Sequence, residues 1–220
     1  MNKQVFFDFD GTLADSERGI IISIKEMVKK LGLPQLSDAE YRTFIGPAMT
    51  ANLKRAYPDL SEAKVAQGVA EYHRSYAQDG YAELDIYPGI QSALEQLKAE
   101  GFRLNIASAK PVDVLPQILD RFHLTNYFDG VYGATTDEKM RSRKADILAY
   151  GIAQSGADPK RSVMVGDRYT DINGGAENNV RTIGVSYGFG DAAELRASNA
   201  SAIVAKPQEI PGAVDLLLNS

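Results

Sequence analysis

The chain opens on a short apolar run over 4–9 that ends on two aspartates and a glycine, and a continuous run of that length predicts a buried strand of a parallel sheet. From Ser16 the rhythm changes. Ile20, Ile21, Ile24, Met27, Val28 and Leu31 recur at helical spacing, with Ser16 placed to cap the helix and Gly32 to stop it. Ser37-Asp38-Ala39-Glu40 has the form of a capping box. Further helical stretches over 48–56 and 61–78, punctuated by Pro47 and Pro58, make 15–82 read as consecutive helices without a convincing strand.

Beyond Tyr87-Pro88-Gly89 the pattern alternates. A helix over 90–100 stops at Gly101, a strand covers 102–107, and Pro111 is placed to open a helix carrying Val114, Leu115, Ile118 and Leu119. Strands over 128–132, 162–165 and 181–185, and a short last run over 202–205, are separated by helical segments near 143–155 and 170–178. Such alternation implies βαβ units and an α/β fold with a doubly wound parallel sheet. The all-helical block then stands as an insertion after the first strand.

In open parallel sheets ligands bind beyond the carboxyl ends of the strands, and three of those ends are polar here. The first ends in Asp8-Phe9-Asp10-Gly11-Thr12, the second in Ser108-Ala109-Lys110, and the third in Gly166-Asp167-Arg168-Tyr169-Thr170-Asp171. Four carboxylates converging on one edge repel one another unless a cation is present, and carboxylate oxygens suit Mg²⁺. One carboxylate can then act as a nucleophile on phosphorus and a second as general acid and base. Each piece also has a plainer reading. Asp-x-Asp-Gly favours a turn, Ser108 could cap a helix, and Asp171 suits a helix N-terminus. Lys144 opens a helix against the macrodipole, which hints at a ligand.

Composition narrows the chemistry. The 220 residues include no cysteine and two histidines, which excludes a thiolate nucleophile, disulfides and any Cys/His zinc site. A net charge of -5 argues against a nucleic-acid polymer as partner. No stretch has signal-peptide or membrane-span character, so no membrane association and a cytoplasmic location are expected.

Asp8-Phe9-Asp10-Gly11-Thr12-Leu13, Ser108, Lys144 and Gly166-Asp167-Arg168-Tyr169-Thr170-Asp171 resemble, in order, the four motifs of the haloacid dehalogenase-like hydrolase superfamily. The resemblance covers essentially the whole chain. It implies a Rossmann-like core over 1–14 and 83–220, an inserted helical cap over 15–82, Mg²⁺ and a phosphoaspartate mechanism. Under it, Asp8 is the nucleophile and a metal ligand, and Asp10 is the general acid and base whose main-chain carbonyl also meets the metal. Ser108, Ala109 and Lys144 bind the phosphoryl group, Asp167 is a metal ligand, and Asp171 completes the metal shell or orients its water. An acid at Asp10 resembles the phosphatases of the superfamily rather than its dehalogenases.

Within the phosphatases the chain is similar to the phosphoglycolate phosphatase-like group. Phe44-Ile45-Gly46-Pro47, the segment from Asp137 to Lys144, and the 183–190 run are similar to a 5'-nucleotidase subgroup. The Asp-Gly-x-Arg segment of that subgroup reads here as Asp137-Glu138-Lys139-Met140-Arg141. The implied substrate is a small phosphorylated metabolite, and the protein a monomer or small homo-oligomer. A phosphoryl mutase built on the same core and a phospho-accepting signalling module are the rival readings. His73, among Glu71, Arg74 and Tyr76, is expected on the solvated surface, and His123 at a helix C-terminus. Lys54 and Arg55 are expected to reach substrate or water, and Gly46-Pro47 to break a helix.

Overall fold

The structure is a computed structural model and describes residues 3–219, so residues 1, 2 and 220 of the expected core segments lie outside the described residues. The chain runs β1 (Gln4–Phe7), β2 (Ala14–Asp15), α1 (Glu17–Lys30), α2 (Asp38–Arg42), α3 (Met49–Ala56), α4 (Glu62–Gln78) and β3 (Asp85–Ile86). It continues with α5 (Ile90–Ala99), β4 (Arg103–Pro111), α6 (Leu115–Arg121), β5 (Gly130–Ala134) and α7 (Lys144–Ser155). The remainder is β6 (Ser162–Gly166), α8 (Tyr169–Glu177), β7 (Arg181–Val185), α9 (Ala192–Ala197), β8 (Ala202–Val204) and α10 (Ile210–Asn219).

Six strands form one parallel sheet in the order β5-β4-β1-β6-β7-β8. Winding outward to β5 and then returning to the other side of β1 puts the topological switch point at β1, where such sheets open a crevice. Alternation along β1 buries both faces. Val5 and Phe7 join the larger apolar cluster, and Phe6 joins a second one with Ile147, Leu148 and Met164. Phe7 is in register with Ile106 of β4 and Val165 of β6, so the residues that follow these three strands emerge at one level.

The helical block packs into the larger cluster through the stripe its spacing predicts: Ile20, Ile24, Met27 and Val28 of α1 meet Leu53, Val65 and Val69 in that core. The Ser37/Glu40 capping box is formed. Four expectations need correction. The first strand stops at Phe7, because Phe9 turns the chain and its carbonyl accepts the Leu13 and Ala14 amides. Ser16 occupies the cap position of α1 but its side chain makes no capping hydrogen bond. Pro111 ends β4 beyond a register shift instead of opening a helix, and α6 starts at Leu115 with Pro116 in its first turn. The two-residue strands β2 and β3 pair antiparallel at the ends of the helical block and are too short for alternation to reveal.

Candidate active site

Asp8 follows β1 and is held by its amide, which donates to the Val165 carbonyl of β6 at 2.9 Å. Asp167 follows β6, and its Oδ2 accepts the Phe189 amide at 2.8 Å. Asp171 lies in the first turn of α8, where its Oδ2 accepts the Arg168 amide at 3.0 Å. Asp8, Asp167 and Asp171 are buried and bring one carboxylate oxygen each within 4.8 Å of one another. Close approach there requires glycine. A Cβ on Gly11, whose φ is +78°, would lie 2.1 Å from Asp167 Oδ2, and one on Gly166 would lie 2.2 Å from Asp171 Cγ.

Lys144, the first residue of α7, crosses into this cluster. Its Nζ lies 2.6 Å from Asp8 Oδ1 and 2.9 Å from Asp171 Oδ1, and donates to the Ala107 carbonyl at 3.2 Å. Burial opposes the ammonium, but the Asp171 and Asp8 charges outweigh it and hold Lys144 above the ordinary lysine range. The carboxylates move the other way. Burial, then repulsion from Asp171 and Asp8, pushes Asp167 well up. Burial raises Asp171 to about 6 against the pull of Lys144. Three carboxylates share a single ammonium, and Asp167 Oδ1 is buried without a hydrogen-bond partner among the described residues. An all-oxygen donor set with surplus negative charge and an orphaned oxygen fits a hard divalent cation such as Mg²⁺.

Asp10 stands outside that carboxylate cluster. Its Oδ1 lies 3.1 Å from Lys110 Nζ, and Lys110 also sits 4.0 Å from the centre of the Tyr76 ring. Ser108, buried on β4, accepts the Lys110 amide at 3.3 Å, with Ala109 between them. Asp8, Asp10, Ser108, Ala109 and Lys110 line one small cavity of about 50 Å³ together with residues of the helical block. Lys144 contacts Asp8 without itself lining that cavity.

Several residues of this site escape sequence reasoning. Lys110 is signalled only by its position after Ser108-Ala109. His73 is buried, 8% exposed, and not on the solvated surface; it falls on the stripe of Val65, Val69 and Tyr76, which was the available signal. Its Nε2 lies 3.4 Å from Glu138 Oε1. Glu138 has a φ of +52°, in the left-handed region, and its carboxylate accepts the Met49 amide at 3.0 Å and the Thr50 amide at 2.8 Å. Arg168 ties the same parts together, donating to the Ile45 carbonyl at 2.8 Å while its Nε donates to Glu194. Lys54 instead pairs with Glu62, Arg55 donates to Thr43 and Asn52, and His123 follows α6 with a φ of +57°.

Residues 5–185 match the family described as haloacid dehalogenase-like hydrolase. The chain belongs to that family. It is 35% identical over 188 residues to the tyrosine-protein kinase PtkA of Mycobacterium tuberculosis, an alignment covering 86% of this chain and 63% of that relative, so this chain spans less than two thirds of it. It is 32% identical to a 5'-nucleotidase of Pseudomonas aeruginosa over 88% of this chain and 86% of the relative. The crystal structure of a protein described as a predicted phosphatase from Clostridium acetobutylicum superimposes with a TM-score of 0.92 at 33% identity, covering 97% of this chain and 98% of that one. This haloacid dehalogenase-like hydrolase thus carries its acidic cluster at the switch point of the sheet. No helix among its described residues is long and apolar enough to cross a membrane.

Proposed function

We propose that this haloacid dehalogenase-like hydrolase is a Mg²⁺-dependent phosphomonoesterase of a small phosphorylated metabolite, with residues 15–82 acting as a cap over the site. The observation that carries this reading is the single Lys144 ammonium set between Asp8 and Asp171, beside the unpartnered Asp167 oxygen. The Asp8 carboxylate attacks phosphorus, and its new O–P bond forms as the bond to the leaving alcohol breaks. Asp10 gives its proton to that alcohol oxygen. Water then attacks phosphorus and loses its proton to Asp10, the Asp8–phosphate bond breaks, and inorganic phosphate is released.

Ser108 and the Ala109 amide donate to the phosphoryl oxygens, and Lys144 offsets negative charge on Asp8 and on the transferring group. Lys110, 3.1 Å from Asp10, holds that carboxyl toward the cavity. The Asp8, Asp167 and Asp171 carboxylates and the Asp10 carbonyl would hold Mg²⁺, which when bound supplies positive charge that polarises the phosphoryl oxygens. The cap excludes bulk water while the reaction runs. A panel of phosphomonoesters assayed with and without Mg²⁺ tests the reading. Release of inorganic phosphate only with the cation is expected, and no turnover on any ester overturns it. A mutase would instead pass the phosphoryl group to a sugar hydroxyl faster than to water.

A further inference from the structure

Glu138 holds a left-handed backbone, φ +52°, a conformation uncommon for a residue with a side chain. Its carboxylate is what compensates. The side chain is buried, 5% exposed, and reaches from the core loop after β5 to the first two residues of α3, accepting both the Met49 and Thr50 amides. These are among the unpaired amides at a helix start, so an anion is favoured there twice over, by hydrogen bonding and by the helix dipole. Burial pushes the Glu138 carboxyl up, but contact with His73 and the Thr50 and Met49 amides outweighs it and holds the group below the usual glutamate range. A fixed negative charge therefore faces the cavity.

The rest of that cavity points the same way. Around Asp8 its cap side is formed mainly by Ile20, Phe44, Ile45, Met49, Tyr72 and Tyr76, which are apolar or aromatic, with His73 beside Glu138. Lys110, the lysine that lines it, is engaged with Asp10, and Lys144 behind Asp8 is engaged with Asp8 and Asp171. Glu138 and His73 also line a second cavity of about 630 Å³, whose α4 wall sets Val65, Ala66, Val69 and Ala70 between Glu62 and Arg74. The pair thus divides a space the size of a phosphoryl group from a larger one whose α4 wall is aliphatic at its centre.

We propose that Glu138 is a specificity-determining residue that rejects phosphoesters whose leaving group bears a second negative charge, directing the site to phosphomonoesters of neutral alcohols. This rests on the phosphomonoesterase reading and narrows it. An ester such as 2-phosphoglycolate would set its carboxylate against Glu138 in a water-poor cavity, where like charges are costly. An uncharged leaving group meets aromatic and aliphatic walls and extends toward the larger cavity once the cap loosens.

The test compares 2-hydroxyethyl phosphate with 2-phosphoglycolate, which match in length and differ in the second charge. Wild type is expected to favour the hydroxyethyl ester in kcat/KM by about tenfold or more, and Glu138→Gln to bring the ratio toward one. Glu138→Gly repeats the measurement with a relaxed backbone at φ +52°, so that loss of folding does not confuse the result. Relative binding of the two esters to Asp8→Asn and to Asp8→Asn/Glu138→Gln, by calorimetry with Mg²⁺, reads the same selectivity without turnover. An unchanged binding ratio between those two variants overturns the selectivity, and so does wild-type preference for phosphoglycolate. A shifted binding ratio with no turnover of any ester supports the selectivity and overturns the phosphatase reading alone.

Discussion

Lys144 Nζ lies 2.6 Å from Asp8 Oδ1, with both side chains buried at the carboxyl edge of the sheet. Removing the ammonium leaves Asp8, Asp167 and Asp171 facing one another without compensation. Lys144→Met is therefore expected to lower stability by about 3–5 kcal/mol in the absence of divalent cation, the usual result of breaking a buried pair on one side. Urea titrations with and without Mg²⁺ check this, the cation restoring part of the loss. Activity at saturating Mg²⁺ should fall by about 100-fold or more if Lys144 offsets charge on the phosphoryl group as proposed.

Asp8→Asn keeps the shape of the proposed nucleophile and removes its charge. Turnover is expected at or below about 10⁻⁴ of wild type. The circular dichroism spectrum should be unchanged, because the backbone link from Asp8 to Val165 does not involve the side chain. Near wild-type release of phosphate by this variant would remove Asp8 from the reaction.

Asp10→Asn separates the acid role proposed for Asp10 from the nucleophilic role proposed for Asp8. Esters of poor leaving alcohols should slow by about 10²–10⁴-fold, while p-nitrophenyl phosphate, whose leaving group needs little protonation, loses much less. Equal losses on the two would show that Asp10 transfers no proton to the leaving oxygen.

The acidic cluster also sets a pH dependence of stability. Asp171 is raised from 3.8 to about 6 in the folded chain, and Asp167 moves in the same direction. A carboxyl whose folded pKa is raised stabilises fully below its unfolded value and loses that contribution as pH rises through the folded value. Cation-free protein should therefore lose stability from Asp171 as pH rises from about 4 through about 6, with Asp167 acting in the same direction. Mg²⁺ should raise the thermal midpoint more at pH 7.5 than at pH 5, because the ionised carboxylates bind it better. Calorimetric scans at both pH values, with and without the cation, measure the difference. A Mg²⁺ shift as large at pH 5 as at pH 7.5 would contradict it.

Gly11→Ala tests the close packing beneath the site. A Cβ there would both strain a φ of +78° and lie 2.1 Å from Asp167 Oδ2. Destabilisation by about 2 kcal/mol or more is expected, together with weaker Mg²⁺ affinity as the Asp167 carboxylate is displaced. Thermal denaturation and cation titration report the two effects separately.

Much of this molecule is legible in short stretches of its chain. The stripe on α1, the Ser37/Glu40 capping box and the apolar runs of β1, β6 and β7 are local patterns, and local patterns follow from the backbone periods of helix and strand. The acids of the site were legible for a related reason, since a parallel sheet gathers whatever follows its strands onto one edge. Asp8 and Asp167 stand one residue beyond β1 and β6. Lys144 was marked as well, as a cation at the wrong end of a helix.

Other features depend on what the helical block meets when it packs on the sheet. His73 lies on the apolar stripe of α4 and Glu138 in a polar loop, and the two side chains meet only when the helical block packs on the core. The Glu138 carboxylate likewise closes on amides 88 and 89 residues away. Lys110 is one more lysine until Asp10 and Tyr76 surround it. Pro111 ends a strand because β5 continues beside it to Ala134, which no propensity of the residue itself encodes. Spacing along the chain reports which groups share a face. The desolvation and pairing that fix their charge arise from surfaces brought together across the fold.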